Sequence, residues 1–195
     1  ADIAKLLLER GADVNKATTY DATPLFIAAE DGRADIAKLL ISAGADVNQP
    51  LNNGETPLYV AAYNGRIDIA KLLLERGADV NKARTDGGAT PLFAASQNGH
   101  ADIAKLLLEH DVDVNKARTD DGATPLFAAA HNGRADIAKL LLSAGADVNK
   151  ARTDGGTTPL YIAAQNGHAD IAKLLLENSA NPSQPTADGT TPLHQ

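Results

Sequence analysis

Cysteine, methionine and tryptophan are all absent, and three Phe and four Tyr are the only aromatic residues among 195. Without Cys there is no disulfide, no thiolate nucleophile, no redox switch and no Cys-based zinc site. That absence fits an intracellular protein. Without Met the visible chain shows no initiator: it opens at Ala1 inside a repeat and closes at Gln195. Both ends therefore read as cuts through an array, with any neighbouring domain out of view. No apolar run approaches the length of a membrane span, and no stretch of the given residues reads as a secretory leader, so no membrane insertion is expected. The nearest approach to an Asn-X-Ser/Thr acceptor, Asn181-Pro182-Ser183, is spoiled by its proline. Aromatics make up 4% of the chain while hydrophobic residues make up 44%, so the interior must be built from Ala, Leu, Ile and Val. A net charge of −7 argues against nucleic acid as the partner.

What is present repeats. Thr-Pro-Leu begins at Thr23, Thr56, Thr90, Thr124, Thr158 and Thr191, each 33 or 34 residues from its neighbour. A fixed period of that length means one supersecondary unit stacked on copies of itself. Such a stack has no single central core, and function moves from a catalytic pocket to an extended surface.

One repeat shows the logic. Thr90 is suited to cap a helix, accepting a free backbone N–H of the first turn. Pro91 follows where its missing N–H costs nothing. A first helix of about two turns should end at Gly99. A second helix is expected from about Ala101 to Glu109, with Ile103, Leu106 and Leu107 on one apolar stripe. Asp102 in its first turn favours the helix dipole. Asp35–Lys38 and Asp68–Lys71 are spaced for weak i,i+3 pairs on the equivalent helices. A polar stretch, Lys116 to Gly122, then reads as a hairpin-like loop. Small pairs after each Thr-Pro-Leu (Ala28-Ala29, Ala61-Ala62, Ala94-Ala95, Ala128-Ala129 and Ala163-Ala164) let adjacent first helices approach closely.

Thr-Pro-Leu, Ala-Ala, Asn-Gly-His/Arg, Asp-Ile-Ala-Lys-Leu-Leu and Gly-Ala-Asp-Val-Asn, taken together, resemble the ankyrin repeat across the whole chain. The resemblance implies an all-α solenoid, a curved right-handed stack of helix-turn-helix units with β-hairpin-like loops, and a concave face made by the loop tips and first helices. It divides one 1–195 domain into a partial repeat at 1–15, helix pairs near 23–48, 56–81, 90–115, 124–149 and 158–181, and a partial repeat at 191–195. The family's His after Thr-Pro-Leu survives only as His194; Phe26, Tyr59, Phe93, Phe127 and Tyr161 replace it. Its hydrogen bond to Thr is thereby lost, and those rings must be held by packing. The loops from Ala83 onward gain one residue. Asp111 stands where Gly11, Gly44, Gly77 and Gly145 end the other second helices, and would be strained if left-handed.

No chemistry-bearing motif appears. His100 and His168 follow Asn-Gly where other repeats carry Arg33, Arg66 and Arg134, and read as polar helix-start residues too far apart to share a metal. Gly87-Gly88 and Gly155-Gly156 lack the Lys of a phosphate loop and read as turns. Asp13, Asp46, Asp79, Asp113 and Asp147 recur a whole repeat apart, which suits turn hydrogen bonds and not a calcium loop. Lys82/Arg84, Lys116/Arg118 and Lys150/Arg152 form a basic column interleaved with Asp86, Asp120, Asp121 and Asp154, read as a solvated mixed-charge edge. No metal and no cofactor is expected.

Residues that fix a stack recur; residues that meet a partner need not. The residue at the end of each first helix varies most: Glu30, Tyr63, Gln97, His131 and Gln165. The first two full loops are the most individual, and Tyr20, Leu51 and Tyr63 place apolar bulk at exposed-type positions, with Asn52 beside them. These eight residues are the candidate partner-binding set, biased to the N-terminal half. The expected function is non-enzymatic: a preformed concave surface binding another protein, with little ordering cost. Three other readings stay open: an array that targets a catalytic domain elsewhere in a larger enzyme or effector, an engineered scaffold with no native ligand, and a nucleic-acid reader. A monomer is expected, with end-to-end packing through the open terminal repeats as its alternative. Cutting at Ala1 leaves Ile3, Leu6 and Leu7 without an outer layer, so that end should be frayed or covered.

Overall fold

The computed structural model describes all residues from Ala1 to Gln195. Eleven α-helices and a final 3-10 turn follow one another, with no strand. A lone helix α1 (Asp2–Glu9) precedes five pairs: α2 (Pro24–Asp31) with α3 (Ala34–Ser42), α4 (Pro57–Tyr63) with α5 (Ile67–Glu75), and α6 (Pro91–Asn98) with α7 (Ala101–Leu108). Next come α8 (Pro125–His131) with α9 (Ala135–Ser143), α10 (Pro159–Gln165) with α11 (Ala169–Glu177), and the turn at Pro192–His194. Each first helix packs on the first helices beside it, and each second helix on its own first helix and its second-helix neighbours. The molecule is a solenoid of stacked helix-turn-helix units.

The helix starts follow from Thr-Pro. The side chains of Thr23, Thr56, Thr90, Thr124 and Thr158 each accept the backbone N–H three residues on, at 3.1–3.2 Å. All five are buried, so the bond satisfies a donor and an acceptor that water cannot reach. At the sixth copy the Thr191 N–H donates to His194 Nδ1 at 3.1 Å. The His–Thr contact that the family resemblance implies thus occurs only where the His is kept.

One contiguous cluster of 41 buried residues runs along the stack, so neighbouring units share their core. The second helices contribute Ile69/Leu73, Ile103/Leu107, Ile137/Leu141 and Ile171/Leu175, all effectively fully buried. The first helices contribute Leu25, Leu58, Leu92 and Leu126, also effectively fully buried, together with small residues. Counted from the capping Thr, the small pair in the third and fourth units is Ala95-Ser96 and Ala129-Ala130, one place later than the Ala-Ala dipeptide read from sequence. Ser96 tolerates full burial because its hydroxyl donates to the Leu92 carbonyl at 2.7 Å. On α1 no residue is buried; Ile3, Leu6 and Leu7 remain exposed. The Asp–Lys pairs at i,i+3 do not close, and the only ion pair on a second helix is Lys5–Glu9 at 3.9 Å.

An Asn ladder stitches the repeats behind the second helices. The side-chain oxygens of Asn15, Asn48, Asn81, Asn115 and Asn149 accept the N–H of Asp46, Asp79, Asp113, Asp147 and Asn181, at 2.8–2.9 Å. Each Asp of the Asp-Val-Asn turn accepts the N–H two residues on, as Asp79 does from Asn81 at 2.9 Å. The recurring acids therefore shape turns.

Second helices mostly end on a left-handed glycine, as at Gly77 (φ +80°); after α11 Ser179 takes that place (φ +67°). That turn lets the following N–H reach back: Ala78 donates to the Leu73 carbonyl at 3.0 Å, and Ala146 to Leu141 at 3.0 Å. Asp111 is not left-handed. Instead α7 stops at Leu108 and Val112 donates to the nearby His110 carbonyl at 2.6 Å, leaving the bond to Leu107 unmade. The strain expected at Asp111 is thus avoided by sacrificing a cap. The Val112 amide should exchange about tenfold or more faster than those of Ala78 and Ala146, and Asp111→Gly should slow it. Equal protection of the three amides by hydrogen exchange would refute this.

Candidate functional site

The aromatic column and the hairpin arginines form one structure. Arg84 lies over the Tyr59 ring at 5.6 Å, Arg118 over Phe93 at 5.5 Å, and Arg152 over Phe127 at 5.3 Å. Each ring sits at the start of a first helix, and its Arg comes from the following hairpin. That is a favourable cation–π placement, and it answers how these rings are held without the family's His–Thr bond. The hairpins are closed by bonds from the Arg84 N–H to Ala89, Arg118 to Ala123 and Arg152 to Thr157, at 2.9–3.0 Å, and in the last two also from Gly122 to the Arg118 carbonyl and from Gly156 to the Arg152 carbonyl, at 3.2 Å. They are tied sideways where Thr85 donates to Asn53, Thr119 to Gly87 and Thr153 to Asp121, at 2.8–3.0 Å.

Acids hold the guanidiniums over the rings. Arg84 is gripped by Asp86 through two bonds, Nε–Oδ1 at 2.7 Å and Nη2–Oδ2 at 2.6 Å, and pairs with Glu55 at 3.3 Å. The Arg84 hydrogen bond holds the Asp86 carboxyl below the usual carboxylate range. Burial pushes the Tyr59 phenol up, against the opposing pull of Arg84. Arg118 pairs with Asp120 and lies 3.7 Å from Asp121; Arg152 pairs with Asp121 at 3.2 Å and with Asp154. The arginines of the expected solvated basic edge are therefore partly covered and committed to rings and acids.

Beside this ladder stand the variable residues. Glu30, Tyr63, Gln97, His131 and Gln165 are all exposed at the C-terminal ends of α2, α4, α6, α8 and α10. Their side chains face solvent, but their backbone is pinned. Arg66 donates from Nε to the Glu30 carbonyl at 3.3 Å, His100 from Nε2 to Tyr63 at 3.0 Å, Arg134 to Gln97 at 3.5 Å, and His168 to His131 at 3.2 Å. This is the role of His100 and His168: a donor from the next unit at the negative end of a helix. Room for the ring comes from glycine, since a Cβ on Gly65 would lie 2.7 Å from His100.

The other candidates separate. Tyr20 is 81% exposed on the first hairpin, and Asn52 is exposed at the second. Leu51 is half-buried and packs on the core, contrary to its reading as exposed apolar bulk. It occupies the ring-covering position: Leu51 falls 25 residues after Phe26, as Arg84, Arg118 and Arg152 fall 25 after Tyr59, Phe93 and Phe127. That constant offset was the sequence signal for the ladder.

Two members of the variable column extend the ring stack, with Tyr63 6.4 Å from Tyr59 and His131 6.4 Å from Phe127. A hollow of about 180 Å³ opens between Phe93 and Phe127, with Gln97 and His131 beside it and Arg118 and Arg152 over it. A wider one of about 340 Å³ lies near Tyr161, Gln165 and Thr186. These hollows fall in the middle and C-terminal units, outside the N-terminal half to which contact was assigned. No helix is long and apolar enough to cross a membrane.

A family model described as ankyrin repeats in three copies matches residues 1–84 and 81–152. A second, described as ankyrin repeats in many copies, matches residues 135–176. No curated protein matches the chain.

Proposed function

The chain belongs to the ankyrin repeat family, and on that premise we propose that residues 1–195 act as one non-catalytic domain. It binds another protein through the face that carries the hairpins and the ends of the first helices. Ankyrin repeats are generally protein–protein interaction modules, and the family is typically non-catalytic. The observation that carries the reading is the column Glu30, Tyr63, Gln97, His131 and Gln165, which is exposed and unlike from unit to unit on a stack whose buried positions are nearly invariant.

Packing supports curvature toward that face. Helices α2, α4, α6 and α8 each bury a small pair beside a Leu, while α5, α7, α9 and α11 each bury an Ile and a Leu. Small pairs of that kind let the first helices approach closely, which supports a concave face on their side. Rigidity supports affinity, because hairpins tied to neighbours and arginines held over rings leave little to order on binding. Tyr20, Asn52 and Tyr63 extend the face to its N-terminal end; Leu51 contributes by bracing the hairpin from which Asn52 projects.

Site-resolved photo-crosslinking tests the assignment. A photoreactive residue at Gln97 or Gln165 should capture protein partners, whereas the same residue at Lys105 or Lys173 on the second helices should not.

A further inference from the structure

Five Asn-Gly bonds occur in the chain: Asn53-Gly54, Asn64-Gly65, Asn98-Gly99, Asn132-Gly133 and Asn166-Gly167. Asparagine before glycine is prone to ring closure, because glycine has no Cβ to keep its backbone nitrogen from the side-chain amide. The structure separates the five. The Gly54 N–H donates to Leu51 at 2.9 Å, while Asn53 accepts Thr85 at its carbonyl and Glu55 at Oδ1. At Asn98 the side chain donates to Ala94 and the Gly99 N–H to Ala95, both at 3.0 Å. At Asn166 the side chain donates to His131 at 2.8 Å and the Gly167 N–H to Ala164 at 3.1 Å. Asn132 keeps one tie, from its side chain to Ala128 at 2.8 Å. Only at Asn64-Gly65 are the side chain, the carbonyl and the glycine N–H all without a partner in the chain.

We propose that Asn64-Gly65 is a self-modifying site that converts to aspartyl and isoaspartyl forms. This chemistry needs no partner protein. The Gly65 nitrogen attacks the Asn64 side-chain carbonyl carbon. A C–N bond forms, the bond to Nδ2 breaks, and ammonia leaves with the proton lost by Gly65. Water then opens the five-membered imide at either carbonyl, giving Asp or, with the chain rerouted through the side chain, isoaspartate. Ring closure needs the Gly65 nitrogen to swing beneath the Asn64 Cβ, far from the observed ψ of 5°. Turning ψ of Asn64 against φ of Gly65 flips that one peptide unit and leaves its neighbours in place, and glycine accepts the new φ. Any hydrogen bond on that unit or on the side chain must break first, and Asn64-Gly65 has none to break. Asn64 is half-buried and Tyr63 beside it is exposed, so water reaches the imide. The products place a carboxylate at the C-terminal end of α4, where the helix dipole disfavours it. They also place it next to Tyr63, a member of the variable column.

Peptide mapping by mass spectrometry, on the folded whole chain aged in warm, mildly alkaline buffer, tests this. Cleavage after Glu55 separates Asn53 from Asn64. Isoaspartyl peptides, resolved from aspartyl ones, report passage through the imide. Asn64 is expected to convert about fivefold or more faster than each of the other four, the effect of at least one hydrogen bond, with isoaspartate in excess. In guanidinium, where no site is held, the five rates should draw together. Conversion of Asn53 or any other site as fast as Asn64 in the folded chain would overturn the proposal. An aspartyl product alone would mark direct hydrolysis and overturn the imide route. A lead for Asn64 that persists undiminished in guanidinium would assign its reactivity to the local sequence, and would overturn the role given to the missing hydrogen bonds.

Discussion

Leu107→Ala is expected to destabilise the protein by about 2–5 kcal/mol and to divide its unfolding into two steps. Leu107 is fully buried on α7, in the third of the five helix pairs. Truncation removes the transfer energy of its side chain and leaves a cavity between layers that can relax only in part. In a stack, each unit is held by its own packing and by its two neighbours. Weakening the middle unit therefore uncouples the segments on either side, and a single ΔG ceases to describe the whole. Leu7 is the matched control: the same residue at the same place in the repeat, but 55% exposed on α1. Leu7→Ala should cost about 1 kcal/mol or less. Urea unfolding followed by far-UV circular dichroism, together with labels placed in the first and last helix pairs, reads both effects. One shared transition at an unchanged midpoint for Leu107→Ala would contradict a core held in layers.

Gly88→Ala is expected to cost about 2–4 kcal/mol, from left-handed strain plus a forced shift of the neighbouring hairpin. Gly88 has φ +71°, and a Cβ there would lie 2.8 Å from the Thr119 backbone nitrogen. Thr119 cannot simply turn aside, because its N–H is held by the Gly87 carbonyl at 3.0 Å. Gly77 is equally left-handed at φ +80°, but nothing lies within 4 Å of its would-be Cβ. Gly77→Ala should therefore cost only the backbone term, about 1–2 kcal/mol. The difference between the two, measured by thermal or urea unfolding, isolates the contact between adjacent hairpins. Equal costs would mean that the hairpins do not bear on one another.

Much of the fold was legible because its determinants are local. A capping Thr, a Pro at the first helical position and a Gly after the last turn act within one helix, and the period announced the rest. The column from Glu30 to Gln165 was found by its variation at one fixed place in the repeat, and its side of the stack came from the family resemblance. What was not legible depends on side chains meeting across a hairpin or between units. Arg118 reads as a surface charge until Phe93 is seen beneath it, and His100 reads as a helix-start residue until the Tyr63 carbonyl is seen beside it. Leu51 was misread for the same reason, since its burial comes from the packed units under its hairpin. At Asp111 the exceptional position was visible, but the way the chain relaxes there was not: it shortens α7 instead of turning left-handed.

The most direct measurement is photo-crosslinking at Gln97 set against Lys105, one on the hairpin side of the stack and one on the second-helix side. Protein adducts at Gln97, lost when Glu30, Tyr63, His131 and Gln165 are replaced by Ser and absent at Lys105, are the expected result. Adducts at Lys105 alone, or adducts at Gln97 that survive those four replacements, would contradict binding through the residues that do not repeat.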